Sequence, residues 1–297
     1  MARRIISIII LAVIAAALLV GCAKGEDPAP DPAEVTLTVM SYNIRTIALD
    51  AGKNGPDYWN NRREALVAHI KAHDPDIIGM QEVLSGPNEA FQDKYLAKHL
   101  TDYDFVGETR ETLEAFTERV PVFYKKDKFE LIETKTFWIS ETPDVPSRSW
   151  DSSTNRICTY AILKHKESGK IIQFFNTHLD HKGSTARKKG AEMLSERVSA
   201  SEYPAILTGD FNFDEKSSNY PIITEKLDDT KYIAETSLKY GTFHGYKDTD
   251  ISEKSPIDFC FVKKDCFIVH RYEVLHEKYD GKFTSDHYAV KVQLTLK

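Results

Sequence analysis

The strongest constraint on this chain is the rhythm of its apolar runs. From Val35 onward, short stretches rich in β-branched and aromatic residues recur at 35–44, 76–83, 103–107, 120–124, 129–139, 157–164, 171–178, 205–211, 257–262, 267–275 and 288–296. Turn-forming residues separate them, as they separate strands. Helical periodicity interrupts the series at 58–73, where Leu66, Val67 and Ile70 keep one face, and again at 88–100, 185–199 and 219–227. Eleven candidate strands with four irregularly placed helices exclude a strict βαβ alternation and predict an α+β fold. No Gly/Ser linker and no repeat period divides residues 35–297, so one multilayered domain is expected there.

The apolar runs end on polar residues of a particular kind. The run before Asn43 ends in an amide, that before Glu82 in a carboxylate, that before His178 in an imidazole, and that before Asp210 in Asp-Phe-Asn. Two late runs invert the order: Asp258 and the pair Asp286-His287 each open one. In antiparallel neighbours the start of one strand lies beside the end of the next, so all six positions can meet on one rim. Each residue alone also fits a plain use, as a strand-ending turn, an Asx turn or a cap. The set is harder to explain that way, because carboxylates, amides and histidines stand at the tips of otherwise apolar strands.

Lys and Arg total 39 against 45 Asp and Glu, so no global basic field draws the protein onto nucleic acid. A bound cation can still reverse the field inside one cleft, which leaves phosphate chemistry open. Arg3 and Arg4 precede an apolar run from Ile5 to Val20, broken only by Ser7 and followed by Gly21 and Cys22. That is the form of a secretion leader, and it is shorter than the roughly 20 residues of a spanning helix. Leu19-Val20-Gly21-Cys22 resembles a bacterial lipobox, which implies cleavage before Cys22 and a lipid on its thiol. An uncleaved anchor helix is the alternative; both place an exported, membrane-anchored protein on the periplasmic or cell-surface face. Residues 1–21 thus read as leader and 22–34, with Pro28, Pro30 and Pro32, as an acidic tether. Cys158 and Cys260 sit in strand-like runs and are expected as buried free thiols, with a Cys260 to Cys266 bridge as the alternative.

The motifs SYN at 41–43, QE at 81–82, NTHLD at 176–180, GDFN at 209–212, ID at 257–258 and SDH at 285–287 together resemble the endonuclease/exonuclease/phosphatase superfamily, of which DNase I is a member. The resemblance runs from Val35 to the C-terminus, and PDVPSRSW at 143–150 with NTHLDH at 176–181 resembles a bacterial branch of it. It implies a four-layered α/β sandwich, two mixed β-sheets face to face with helices outside. It also implies metal-dependent hydrolysis of phosphoesters. Glu82 would be the principal ligand of Mg²⁺ or Mn²⁺, with Asn43 and Asp286 beside it, since hard oxygen donors suit such cations. Asp210 would activate the attacking water and Asn212 hold its geometry. His178 and His287 would donate hydrogen bonds to the phosphoryl oxygens, and Asp258 would fix the tautomer of His287. Arg156 and Arg45 could clamp phosphate oxygens, and Asp180 and His181 could line the mouth; each also reads as a strand-end or loop residue.

Two rivals stand beside this reading. NTHLDH approaches a zinc motif of the metallo-β-lactamase type, but Asn176 stands where that motif needs its first histidine. A lipoprotein of the same fold that binds without turnover is the other. A nuclease relies on Lys and Arg contacts to phosphates, and a chain at −8 once Arg3 and Arg4 leave offers little beyond Lys182, Arg187, Lys188 and Lys189. The substrate is expected to be a nucleic acid, a phospholipid headgroup or a small organic phosphate, taken by a monomer held at the membrane through its lipid.

Overall fold

The computed structural model describes residues 34–50, 55–111 and 116–297. The expected leader, Cys22 and the proline-rich segment up to residue 33 lie outside them. Along the chain run β1 (Thr36–Asn43), α1 (Trp59–His73), β2 (Ile77–Gln81), β3 (Val83–Ser85), α2 (Gln92–His99), β4 (Tyr103–Val106), β5 (Thr117–Arg119), β6 (Val122–Lys125), β7 (Phe129–Trp138), β8 (Ile157–His165) and β9 (Ile171–His178). Then come α3 (Ser184–Ser199), β10 (Ala205–Asp210), α4 (Tyr220–Thr224), β11 (Leu227–Asp229), α5 (Thr230–Ile233), β12 (Thr236–Leu238), β13 (Asp258–Lys263), β14 (Phe267–Leu275) and β15 (Ala289–Leu296).

Seven strands form one sheet in the order β12-β14-β15-β1-β2-β6-β4, and six form a second in the order β11-β13-β10-β9-β8-β7; β3 pairs with β5. Period-two alternation explains how they stack. Val39, Ile77 and Val292 of the first sheet point inward and meet Phe174, Ile206 and Cys260 of the second. Their chain neighbours Met40 and Ile78 point outward onto Leu66 and Ile70 of α1 and Leu96 of α2. On the far side, Phe175, Leu207 and Phe261 pack under Leu194 and Val198 of α3. The central strands are apolar on both faces because both faces are covered. Burying each such side chain is worth about 1.5–3 kcal/mol, and the layers are those of a four-layered α/β sandwich.

Ends and edges follow local chemistry. Helix α1 stops at Asp74, left-handed at φ 46° and followed by Pro75, as a C-terminal stop requires. Strand β7 is an edge, and its outward Glu130, Glu133 and Lys135 keep that edge from pairing with another chain. The first turn of α3 is capped from a distance: Asp151 accepts from the Ala186 N–H at 2.8 Å and the Thr185 N–H at 3.2 Å. The expected helix at 88–100 begins only at Gln92, and the one at 219–227 stops at Thr224, after which Leu227 enters β11. The 76–83 run is interrupted at Glu82. Cys158, Cys260 and Cys266 are free thiols, so the Cys260 to Cys266 bridge is not formed. Among the described residues no helix is long and apolar enough to cross a membrane.

Candidate active site

Strand register gathers the polar tips. Asn43 ends β1 opposite Gln81 of β2 in parallel pairing, and Glu82 follows at once. In the other sheet His178 of β9 stands opposite Asp210 of β10, also in parallel, while Asp258 of antiparallel β13 faces Asp210 from the other side. Two of the decisive pairings are therefore parallel, and strand ends align directly; the antiparallel rule accounts for β13 and β15. The Ser285 hydroxyl donates to the Asn43 carbonyl at 2.6 Å, bringing Asp286 and His287 to the same rim.

The side chains form a continuous network. Asn43 Nδ2 donates to Glu82 Oε1 at 3.0 Å and to Asp210 Oδ2 at 2.9 Å, bridging carboxylates of the two sheets. The Thr46 N–H donates to Glu82 Oε2 at 2.8 Å, and Asn43 Oδ1 accepts from the Arg45 N–H. Asn43 thus turns its amide nitrogen to the carboxylates and bridges them. Asn212 folds back, its N–H on Asp210 Oδ1 at 2.9 Å and its Nδ2 donating to His178 Nε2 at 2.9 Å. His287 Nδ1 lies 2.8 Å from Asp258 Oδ2, and its Nε2 lies 3.8 Å from Asp210 Oδ2.

Electrostatics set the protonation. Burial, then the charge of Asp258, raises the pKa of Asp210 against the lowering effect of His287. Burial opposes charge on His287, but Asp258, Asp210 and Asp286 outweigh it and push the imidazole upward. His178 goes the other way, far below its ordinary value, through burial and then Arg156 and His287. The two imidazoles are thus shifted in opposite directions, His287 toward its cation and His178 toward its neutral form. Glu82, His178 and Asp210 can bring one ligand atom each to within 4.8 Å of the others. Two carboxylates that share one amide donor, in a buried rim with excess negative charge, form a donor set that fits a hard divalent cation.

Around this floor opens a cleft of about 620 Å³. Arg45 lines it and pairs with Asp286 at 3.2 Å, so Asp286 is engaged with a guanidinium beside the Glu82 group. Arg156 is buried; its Nε is 3.3 Å from Asp180 Oδ2 and its Nη2 donates to His181 Nδ1 at 2.9 Å. Asp180 itself points into a cradle of N–H and O–H donors from Lys182, Gly183, Ser152 and Ser153, so it holds the wall while Arg156, His181 and Lys182 face the cleft. Arg187 binds the Asp180 carbonyl and Lys189 binds Glu192, which leaves Lys182 as the member of that basic run in the cleft wall.

Four contributors carried no signal in the pattern of strand ends. Arg110 and Glu118, paired at 2.9 Å, line the cleft, as does Phe243, bridged to His287. The Thr242 hydroxyl accepts from the N–H groups of Ile257 and Asp258 and so positions β13. Arg45, Glu82 and Asn212 all have positive φ, at 56°, 62° and 51°. Non-glycine residues avoid that region, and such strain concentrates at functional sites. Asn176 is not at the rim. It is wholly buried between the sheets, donating to the Met80 and Pro121 carbonyls, which removes the zinc-motif reading of NTHLDH.

The family model described as "Endonuclease/Exonuclease/phosphatase family" matches residues 40–287. The chain belongs to this family. An endonuclease/exonuclease/phosphatase family protein from Bacteroides thetaiotaomicron superposes with a TM-score of 0.80 at 34% identity, over 89% of this chain and 99% of that one. A mannosyl-6-phosphatase from the same organism gives 0.77 at 35% identity, over 87% and 99%. Among curated proteins, an uncharacterized protein of Acanthamoeba polyphaga mimivirus is 31% identical across 53% of this chain, and the CCR4-Not complex 3'-5'-exoribonuclease subunit Ccr4 of Saccharomyces cerevisiae is 24% identical across 67% of it. The chain spans 60% of the viral protein's length and 28% of the yeast protein's.

Proposed function

We propose that this family member is a divalent-metal-dependent hydrolase of small organic phosphates, with a phosphorylated sugar as the favoured substrate class, exported and anchored through a lipid on Cys22. One observation carries the chemistry: Asn43 ties Glu82 to Asp210 at the floor of the cleft, with His287 and Asp258 alongside. Glu82 would hold a Mg²⁺ or Mn²⁺ ion, which would supply polarisation of the phosphoryl oxygens. Asp210, its basicity raised by burial, takes a proton from water as the water oxygen attacks phosphorus in line. The ester P–O bond breaks opposite, the departing alcohol oxygen takes up a proton from solvent, and Asp210 returns the proton it took to solvent. His287, whose cation Asp258 favours, donates to the developing phosphoryl charge, and Asn212 keeps Asp210 aimed.

The size of the cleft, about 620 Å³, suits a small ligand. The net charge of −6 disfavours a long polyanion. The mannosyl-6-phosphatase neighbour, matched along nearly its whole length, supports a sugar phosphate. The exoribonuclease relatives support a second reading, shortening of RNA from its 3' end. Turnover of mannose 6-phosphate, p-nitrophenyl phosphate, bis-p-nitrophenyl phosphate and oligoadenylate, each with Mg²⁺, Mn²⁺ or excess EDTA and with Asp210→Asn as control, tests both. Monoester turnover that needs metal and Asp210 is the expected result. Turnover of oligoadenylate alone selects the nuclease, and metal-independent turnover overturns both. For the anchor, Cys22→Ala is expected to release the protein from the membrane fraction; undiminished association there rules out lipidation.

A further inference from the structure

Away from the cleft a second group of imidazole and carboxylate side chains converges. His69 and His73 stand four residues apart on α1, so both rings leave one helix face. Their Nε2 atoms approach a single atom, Oε1 of Glu277, at 3.4 and 3.0 Å. Glu277 comes from the connection between β14 and β15. One ligand atom from each of the three residues lies within 4.8 Å of the others. His69 is 1% exposed and walled by Tyr42 and Tyr279; among the described residues its Nδ1 has no hydrogen-bond partner, and Glu277 Oε1 at 3.4 Å is all that Nε2 approaches. An imidazole always carries polar nitrogens that need partners when buried, and packing alone serves these poorly.

We propose that His69, His73 and Glu277 form a second metal site, selective for a borderline dication, Zn²⁺ foremost, with a fourth position open to solvent. Two imidazoles and a carboxylate are a zinc-type ligand set, unlike the oxygen donors of the cleft. Bonds of about 2.0–2.1 Å in a tetrahedron place ligand atoms about 3.3 Å apart, and the observed 3.0 and 3.4 Å bracket that edge. The side chains of His73 and Glu277 are 20% and 48% exposed, which gives an ion its way in. Lys291 Nζ lies 3.4 Å from His73 Nδ1 and 2.8 Å from Glu273 Oε1. Coordination through Nε2 leaves the His73 proton on Nδ1, and Lys291 then belongs to Glu273 alone.

The ion's role is structural. Farther along α1 toward its start, Arg62 donates to the carbonyls of Ile44, Arg45 and Thr284, clamping the helix to the segments that carry Asn43 and Asp286. Zinc at His69, His73 and Glu277 ties the other end of α1 to the same β14–β15 connection.

The test uses the full chain, stripped of metal and returned to millimolar Mg²⁺, then dialysed against micromolar Zn²⁺. The parent is expected to take up one zinc per chain more than the His73→Gln/Glu277→Gln variant, and zinc is expected to raise the Tm of the parent alone. Co²⁺ in place of zinc should give the visible absorption of a tetrahedral ion in the parent and lose it in the variant. Glu277→Gln alone, at a half-exposed position, serves if the double variant does not fold, with at least about tenfold weaker zinc binding expected. Equal zinc uptake and equal Tm response in parent and variant overturn the site.

Discussion

Asp258 Oδ2 sits 2.8 Å from His287 Nδ1, with both side chains almost fully buried and the other imidazole nitrogen turned toward Asp210. A carboxylate in that position fixes the ring's orientation and stabilises its cation. Asp258→Asn keeps the shape and removes the charge. Burial then dominates, so the His287 pKa falls from its raised value. A group that must be protonated to donate is lost as pH rises through its pKa, so the alkaline limb of the kcat profile should move to lower pH. At neutral pH kcat should drop about 10²- to 10⁴-fold. A pH profile on p-nitrophenyl phosphate checks both, and an unmoved alkaline limb removes His287 as the donor.

Asn43 joins the two sheets' carboxylates through one amide nitrogen. Asn43→Ala deletes both bonds and leaves Glu82 and Asp210 facing each other without a donor between them. Loss of positioning of this kind costs on the order of 10²-fold in kcat. The metal concentration for half-maximal rate should rise as well, because Glu82 loses its orientation. Kinetics across a Mg²⁺ titration measure the two effects separately. An unchanged metal requirement would show that Asn43 serves only Asp210.

The floor of the site was legible because Asn43, Glu82, His178, Asp210, Asp258 and His287 each interrupt an apolar run, and an apolar run reports strand and burial together. Pairing direction was not legible. β1 and β2 are apolar on both faces, and such runs look the same whether neighbours lie parallel or antiparallel. Nor was the left-handed backbone at Glu82, since no glycine or asparagine marks it. Arg110 and Glu118 reach the cleft from a stretch without period-two or helical pattern, so their position comes from tertiary packing alone. Asn176 shares the inner face of β9 with His178, but it lies two residues back from the strand end, so its side chain stays between the sheets while His178 reaches the rim.

That inward asparagine carries stability. Nδ2 donates to Met80 and Pro121 carbonyls at 2.6 and 2.9 Å, and Oδ1 accepts from Gln81 Nε2 at 2.7 Å and Thr208 Oγ1 at 3.2 Å. Asn176→Ala removes all four buried hydrogen bonds, although Gln81, Thr208 and the Pro121 carbonyl keep other partners, at about 2–4 kcal/mol in total. Gly79 lies against the same amide: a Cβ there would fall 2.5 Å from Asn176 Oδ1 and also against Thr208 Oγ1. Gly79→Ala therefore overpacks the space between the sheets, at about 1–3 kcal/mol. Urea unfolding of both variants should show lower midpoints, with Asn176→Ala the more affected. A midpoint unchanged in either would mean that the sheets are free to part there.

Asp180 yields the clearest dependence of stability on pH. Burial works to raise its pKa, but the Gly183 N–H, the Ser153 hydroxyl, the Lys182 N–H and Arg156 outweigh it and hold the carboxyl well below the usual range. A depressed pKa means that the folded state favours the charged form. Its contribution is complete above the ordinary carboxylate value of about 4 and is lost as pH falls through the folded value. Asp180→Asn removes the charge and should cost about 1.5–3 kcal/mol at pH 7, the range for hydrogen bonds to a charged group. The gap in Tm between the parent chain and Asp180→Asn should stay constant from pH 8 to about pH 5 and narrow below about pH 4. Melting curves of the two chains from pH 3 to pH 8 measure it. A gap that persists undiminished to pH 3 means that Asp180 stabilises the loop through shape, and that Arg156 draws no support from its charge.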